Sequence, residues 1–226
     1  MHIQVITLFP EMFSSVFSQS IVHRAIQQHR VEISYIQLRQ FATDSYGTVD
    51  DHPYGGGHGM VLRVDVLDRA IEYAKSLVSG ESRTILLDAS GSPFTQEAAE
   101  HLSSLENLIL ICGHYEGVDA RVFSVVDDVI SIGDYILTGG EIPSIVLIDS
   151  IVRLLPGVLK KAVATKDESF SSNKGLLEYP QYTRPETYKE LVVPQVLLGG
   201  NHKKIETWRK EQAIKKTKEK RPDLIS

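Results

Sequence analysis

Asp134 and Glu141 frame a run reading Ser-Ile-Gly-Asp-Tyr-Ile-Leu-Thr-Gly-Gly-Glu-Ile-Pro, Ser131–Pro143, which holds three glycines and no lysine or arginine. Glycine admits positive φ and lets backbone approach a ligand closely, and proline suits the first turn of a helix. Without a cation the segment would serve a phosphate poorly, whereas a neutral or cationic small molecule would be welcome. Two other segments share this character, Asp88–Pro93 and Gly113–Gly117. Each alone reads equally well as a tight turn. Together they predict one composite pocket built of backbone groups, Tyr115, Tyr135 and the acids Asp88, Glu116 and Asp134. No GxxxxGK[ST] occurs, and Gly55-Gly56-Gly57-His58-Gly59 lacks the last glycine of a dinucleotide fingerprint and follows no strand, so nucleoside triphosphate and NAD sites are disfavoured.

The elements that must position these loops follow from apolar spacing. Residues 3–9, 31–38, 83–87, 107–112 and 128–132 read as strands, and each candidate loop follows one of the last three. Between them, residues 11–28, 64–78, 95–104, 119–125 and 142–155 carry helical patterns, with Leu67, Ile71, Ala74 and Val78 at helical spacing. Alternating β and α of this kind predicts an α/β fold, a mostly parallel sheet with helices on both faces, whose ligand sites lie beyond the carboxyl ends of the strands. Residues 42–60 form a long loop rich in Asp, Gly and His. After Pro156-Gly157 the composition turns polar, which predicts a first domain over 1–160, a flexible linker over 161–174, and a small helical domain over 175–226. Its last helix should start at Asn201, a good N-cap.

Composition bounds the rest. The chain has 226 residues, 42% of them hydrophobic, with a net charge of -5 and one cysteine, Cys112, inside an apolar run. An ordinary soluble protein of a reducing compartment is expected, and the N-terminus has no basic n-region of a signal peptide, so a cytoplasmic location is expected and no membrane association. Residues 201–226 hold nine Lys or Arg against four Asp or Glu. That local excess suggests a polyanionic partner, though a solvated helix of mixed charge would look similar. His23, His29, His52 and His58 lack ligand spacing and cysteine partners, so no metal site is expected from them.

Several motifs in fixed order resemble the bacterial tRNA (guanine-N1)-methyltransferase family, TrmD, of the SPOUT class. They are Phe9-Pro10-Glu11-Met12-Phe13, Thr48-Val49-Asp50-Asp51-His52-Pro53-Tyr54-Gly55-Gly56-Gly57, Cys112-Gly113-His114-Tyr115-Glu116-Gly117, Ser131–Pro143, Gly175-Leu176-Leu177, Tyr182-Thr183-Arg184-Pro185 and Gly200-Asn201-His202. The resemblance covers nearly the whole chain. It implies a deep trefoil knot at the carboxyl edge of the sheet, a topology that general rules of chain connection would have excluded. It also implies S-adenosylmethionine as methyl donor, held by Leu86, Leu87, Ser90, Gly91, Gly113, Tyr115, Glu116, Gly117, Ile132, Gly133, Asp134, Tyr135, Ile136, Leu137, Gly139, Gly140 and Pro143. The expected product is tRNA methylated at N1 of the guanine 3′ of the anticodon, and the expected assembly is a homodimer with the site at the subunit interface.

Guanine N1 carries a proton at neutral pH, so a general base must remove it and a cation should meet the charge that builds on O6. The family pattern places an aspartate before Ser-Phe as base and an arginine after the knot. Here the arginine position is Arg153 and the base position is Glu168, with Asp167 just before it. Glutamate is also a carboxylate but one methylene longer than aspartate, so either Glu168 serves with a shifted backbone or Asp167 takes the role through a one-residue slip; Glu168 is the favoured base. A magnesium ion stays open as an additional cofactor. Lys203, Lys204, Arg209, Lys210, Lys215 and Lys216 are expected to grip tRNA phosphates without reading sequence. The chain stops at Arg221-Pro222-Asp223 and three further residues, where many relatives continue, so some tail contacts to tRNA are expected to be missing. Two rivals remain: a SPOUT enzyme acting on another target such as a ribose 2′-hydroxyl, and a catalytically impaired RNA-binding homologue.

Overall fold

The computed structural model describes residues 1–159, 168–171 and 175–225. The chain divides into two compact units, Met1–Lys160 and Lys161–Ser226.

The first unit begins with β1 (His2–Thr7), α1 (Glu11–Phe17), α2 (Ser20–Gln27) and β2 (Glu32–Gln37). A small ribbon of β3 (Asp50–Asp51) and β4 (Val61–Leu62) precedes α3 (Val64–Ser76). Then come β5 (Ser82–Pro93), α4 (Gln96–Ser103), β6 (Asn107–Cys112), β7 (Asp128–Ser131) and α5 (Glu141–Val152). Five of these strands form one sheet in the order β2-β1-β6-β5-β7, and every neighbouring pair is parallel.

Alternation along the strands builds a core on each face. Ile3, Val5, Ile85, Leu108 and Leu110 point to one side, where Phe13, Leu147 and Ile151 from the helices cover them. Ile6, Leu86, Ile109 and Ile111 point to the other, against Val66, Leu67, Ala70 and Ile71 of α3. Burial on both faces explains why β6, Asn-Leu-Ile-Leu-Ile-Cys, is buried at every residue and reads as a continuous apolar run. Because β6, β5 and β7 are consecutive in the sheet, the loops that follow them emerge side by side at one edge.

Three sequence expectations need correction. The strand expected to end at Leu87 continues to Pro93, with a register shift in which Leu87 and Ser92 both face Ile130 of β7. Gly91 makes this path available: a Cβ there would lie 2.6 Å from Ile130 N, so only glycine allows the two backbones so close. The helical pattern near 119–125 is a single 3-10 turn, Ala120–Ser124, capped by the Asp119 carboxylate, which accepts the Arg121 N–H at 2.9 Å. Four or five residues give too few hydrogen bonds to sustain an α-helix there. The long loop 42–60 also contributes Asp50 and Asp51 to the small ribbon.

The second unit contains an antiparallel hairpin, β8 (Thr187–Tyr188) and β9 (Leu191–Val192), followed by α6 (Gln195–Leu198) and α7 (His202–Lys220). Asn201 caps α7, its side-chain oxygen accepting the Lys204 N–H at 3.2 Å. Buried Thr217 ties the helix to its surroundings: its hydroxyl donates to the Ala213 carbonyl at 2.7 Å and accepts the Leu177 N–H at 2.9 Å.

Candidate active site

The three loops close on one pocket. Its walls are Leu87 to Ala89 from β5, Gly113 to Gly117 after β6, Ile130 to Gly133 and Tyr135 to Gly140 after β7, and Pro143 in the first turn of α5. The resemblance assigned thirteen of these positions to the donor, Leu87, Gly113, Tyr115, Glu116, Gly117, Ile132, Gly133, Tyr135, Ile136, Leu137, Gly139, Gly140 and Pro143, and the residue pattern added Asp88. Four others do not line it. Leu86 is buried in the core, Ser90 donates its hydroxyl to Asp88, Gly91 lies against Ile130, and Asp134 is exposed. His114 lines the pocket and was not singled out, because a lone histidine beside a glycine carries no spacing signal.

Backbone geometry gives the pocket its shape. Tyr115 has φ 59, Gly117 φ 121 and Gly133 φ 150, positive values that bend the chain sharply at each. For tyrosine, a left-handed conformation is strained and persists only where the surroundings enforce it. The Gly140 N–H donates to the Gly113 carbonyl at 2.7 Å, and Glu116 N–H donates to the Met60 carbonyl at 3.0 Å. The glycine run of the long loop is thereby drawn to the pocket rim. A side chain on Gly59, which has φ 76, would collide with that of Glu116.

Among the described residues no lysine or arginine lines the pocket, whereas Asp88 and Glu116 do. Just below, Glu141 is 2% exposed. Cys112 is buried nearby, where desolvation, with the Glu141 charge adding, pushes its thiol far above the ordinary range and leaves it unreactive. A flat heteroaromatic ring, hydroxyls and a sulfonium or ammonium charge would all find partners here: apolar walls from Ile132, Ile136 and Leu137, backbone amides and carbonyls, and carboxylates. An S-adenosylmethionine molecule fits that set, and Gly139 and Gly140 let the wall pack tightly, since a Cβ on either would collide with Glu141 and His114 or with the Cys112 backbone.

Two of the other predicted site residues are among those described, each within its own unit. Arg153 follows α5 as its C-cap and is half-buried. Glu168 is half-buried and shares a pocket of the second unit with the apolar Leu176, Leu177, Tyr179, Ala213 and Ile214 and the charged Glu178, Glu206, Arg209 and Lys210. Asp167 falls outside the described residues. Among the cations of α7, Arg209 lies over the Tyr179 ring at 4.6 Å, Lys210 pairs with Glu206 at 2.9 Å, and Lys216 donates to the Glu178 carbonyl at 3.0 Å. Lys203, Lys204, Lys215 and Lys218 are exposed. Among the described residues no group of three or more His, Cys, Asp or Glu could hold a metal ion, and no helix is long and apolar enough to cross a membrane.

Comparison with known proteins agrees with this geometry. The family described as tRNA (guanine-1)-methyltransferase TrmD matches residues 1–226. A tRNA (guanine-N(1)-)-methyltransferase of Dictyoglomus turgidum is 50% identical over 225 residues, covering 100% of this chain and 90% of that protein. Proteins of the same name from Pelotomaculum thermopropionicum, 49% identical over 227 residues, and Bacillus subtilis, 48% identical over 226 residues, are similar over 100% of this chain. They are covered over 90% and 92% of their own lengths.

Proposed function

The chain belongs to the TrmD family of tRNA (guanine-N1)-methyltransferases, and from that premise we propose that it methylates N1 of the guanine 3′ of the anticodon, position 37, with S-adenosylmethionine as donor. The observation that carries the donor is the pocket itself, glycine-tight, apolar-walled and, among the described residues, free of basic side chains. The crossing of its three loops would be the trefoil knot of the SPOUT class. The bound donor supplies an electrophilic methyl group on a positively charged sulfur. Around it the Glu116 carboxylate and the backbone carbonyls of the loops favour the positive charge. Tyr135, Ile136 and Leu137 keep water from the reacting centre.

At the acceptor, Glu168 takes the N1 proton as general base, with Asp167 as the alternative, and the Arg153 guanidinium meets the charge gathering on O6. Magnesium is left open as an assistant to this step. The linker at 161–174 brings the base to the flipped guanine when tRNA binds. A homodimer is favoured by α5, whose sequence Glu-Ile-Pro-Ser-Ile-Val-Leu-Ile-Asp-Ser-Ile-Val is apolar nearly all round. A helix of that composition is ordinarily covered on every side. Yet Ile142 and Val146 are 45% and 38% exposed, beside the exposed Met12 and Val16 of neighbouring α1. A second copy seated on this face would complete each donor pocket with the partner's base. A ribose 2′-hydroxyl target is disfavoured, since the relatives above are all named for guanine N1.

The test is methyl transfer to tRNA transcripts carrying G or A next to the anticodon, beside calorimetric titration with S-adenosylmethionine. Donor binding and transfer to the G transcript alone are expected. No binding at millimolar donor, or equal transfer to A, would overturn the assignment.

A further inference from the structure

Beneath the pocket lies a carboxylate whose two oxygens have different surroundings. Glu141 opens α5, where a helix N-terminus favours its negative charge. Thr7, at the end of β1, donates its hydroxyl hydrogen to Glu141 Oε1 at 2.7 Å, and the same hydroxyl accepts the Phe9 N–H at 2.9 Å. The second oxygen, Oε2, lies 4.0 Å from His114 Nδ1. That nitrogen is buried and makes no hydrogen bond among the described residues. Gly139 stands between the two, and a Cβ there would be 2.5 Å from Glu141 Oε2 and 2.5 Å from His114 Nδ1. The absent side chain is what allows carboxylate and imidazole to face each other. The ring is also confined, with its centroid 5.1 Å from that of Phe9 and 4.8 Å from that of Tyr115, to which it stands edge-on.

We propose that Glu141 and His114 form a positioning pair of the donor pocket, in which the carboxylate fixes the Nδ1 proton of His114 and leaves Nε2 to accept a hydrogen bond from the donor. The chemistry follows from the inventory of each group. An ionised carboxylate only accepts, so the nitrogen facing it must be the protonated one. In the neutral ring that leaves a lone pair on Nε2, and His114 lines the pocket. The donor offers hydroxyl, amino and ammonium hydrogens, which suit such an acceptor. A buried donor left unpaired loses its hydration without compensation, so closing the gap between Nδ1 and Oε2 is favourable. Glu141 therefore acts through His114, and Thr7 anchors Glu141 to the neighbouring strand. The pair rests on the methyl-donor assignment of the pocket.

Two readouts on the full chain separate the pair from that assignment. Nitrogen-15 spectra of the histidine side chains, with His114 identified by its loss in His114→Asn, report the tautomer without donor. The Nδ1–H form is expected in the wild type and the Nε2–H form in Glu141→Gln, whose amide can donate to Nδ1 while its oxygen still accepts from Thr7. Calorimetry then reads donor affinity: Glu141→Gln should weaken binding about tenfold, the loss of one good hydrogen bond. In methyl transfer, KM for the donor should rise while kcat at saturation changes little. His114→Gln, whose oxygen can reach the Nε2 position, should recover more affinity than His114→Asn. An Nε2–H tautomer in the wild type, or wild-type donor affinity in Glu141→Gln, would overturn the pair. A wild type that binds no donor would instead remove the methyl-donor assignment, with the tautomer still deciding the pair.

Discussion

Gly140 packs directly on the backbone of Cys112: a Cβ on Gly140 would lie 2.6 Å from the Cys112 Cα, and the Gly140 N–H donates to the neighbouring Gly113 carbonyl at 2.7 Å. The loop after β7 is thus laid against the end of β6 with no room for a methyl group. Gly140→Ala should push the two loops apart at a cost of about 1–3 kcal/mol, the usual range for overpacking. Since both loops wall the pocket, donor affinity should fall by at least about tenfold. Calorimetry with S-adenosylmethionine and a denaturant titration of the same variant check both parts, and unchanged affinity in Gly140→Ala would show that this contact does not shape the site.

Acid should loosen the loop behind the pocket through Asp119. Hydrogen bonds from the Arg121 side chain and backbone, with its charge adding, lower this carboxyl to about 2. A folded-state value below the unfolded one means the contribution is present above about pH 4 and is lost as pH falls toward 2. A shift of that size corresponds to about 2.5 kcal/mol in full linkage, but the Arg121 side chain is 69% exposed. Solvent screening should reduce it to about 1 kcal/mol or less. Chemical denaturation from pH 7 to pH 3 should show wild type and Asp119→Asn converging toward the acid end. Parallel curves would contradict the assignment.

Much of this arrangement was legible before any coordinates, for physical reasons that differ by residue. The apolar run of β6 announced a strand buried on both faces, and Asn201 announced the start of α7, since each signal is local. Glycines at strand ends pointed to the pocket because few other roles require so many residues without side chains. The continuation of β5 through Gly91 was not legible, as it depends on the Ile130 backbone about forty residues away along the chain. The same holds for Thr7, His114 and Glu141, which meet only because β1 and β6 are neighbours in the sheet and α5 starts at their edge.

The identity of the general base yields a direct comparison. Glu168→Gln keeps size and hydrogen-bonding capacity but cannot take a proton, so single-turnover methylation should fall about 10²–10⁴-fold, the usual worth of a positioned base. Asp167→Asn should be the milder change. Donor affinity should be untouched by Glu168→Gln, because a general base for N1 acts on the acceptor and not on the methyl donor. If Asp167→Asn alone abolishes turnover, the base is Asp167 and the one-residue slip is real.

The cations of α7 divide into two groups that salt should distinguish. Arg209 and Lys216 are already engaged with Tyr179 and the Glu178 carbonyl, which ties α7 to the segment before it, and Lys210 pairs with Glu206 one turn away on the same helix. Lys203, Lys204, Lys215 and Lys218 are exposed and recur at helical spacing along the outer side of the helix. A phosphate contact releases counterions, and each one adds roughly 0.7–0.9 to the slope of log affinity against log salt. Lys204→Gln and Lys215→Gln should therefore each weaken tRNA binding and flatten that slope by about one, whatever the tRNA sequence. Lys216→Gln should leave the slope nearly unchanged and lower thermal stability instead, since it removes a donor from a partly buried carbonyl. Filter binding across a salt series, paired with thermal melts, reads both quantities, and a slope that responds equally to Lys216→Gln and Lys204→Gln would refute the division.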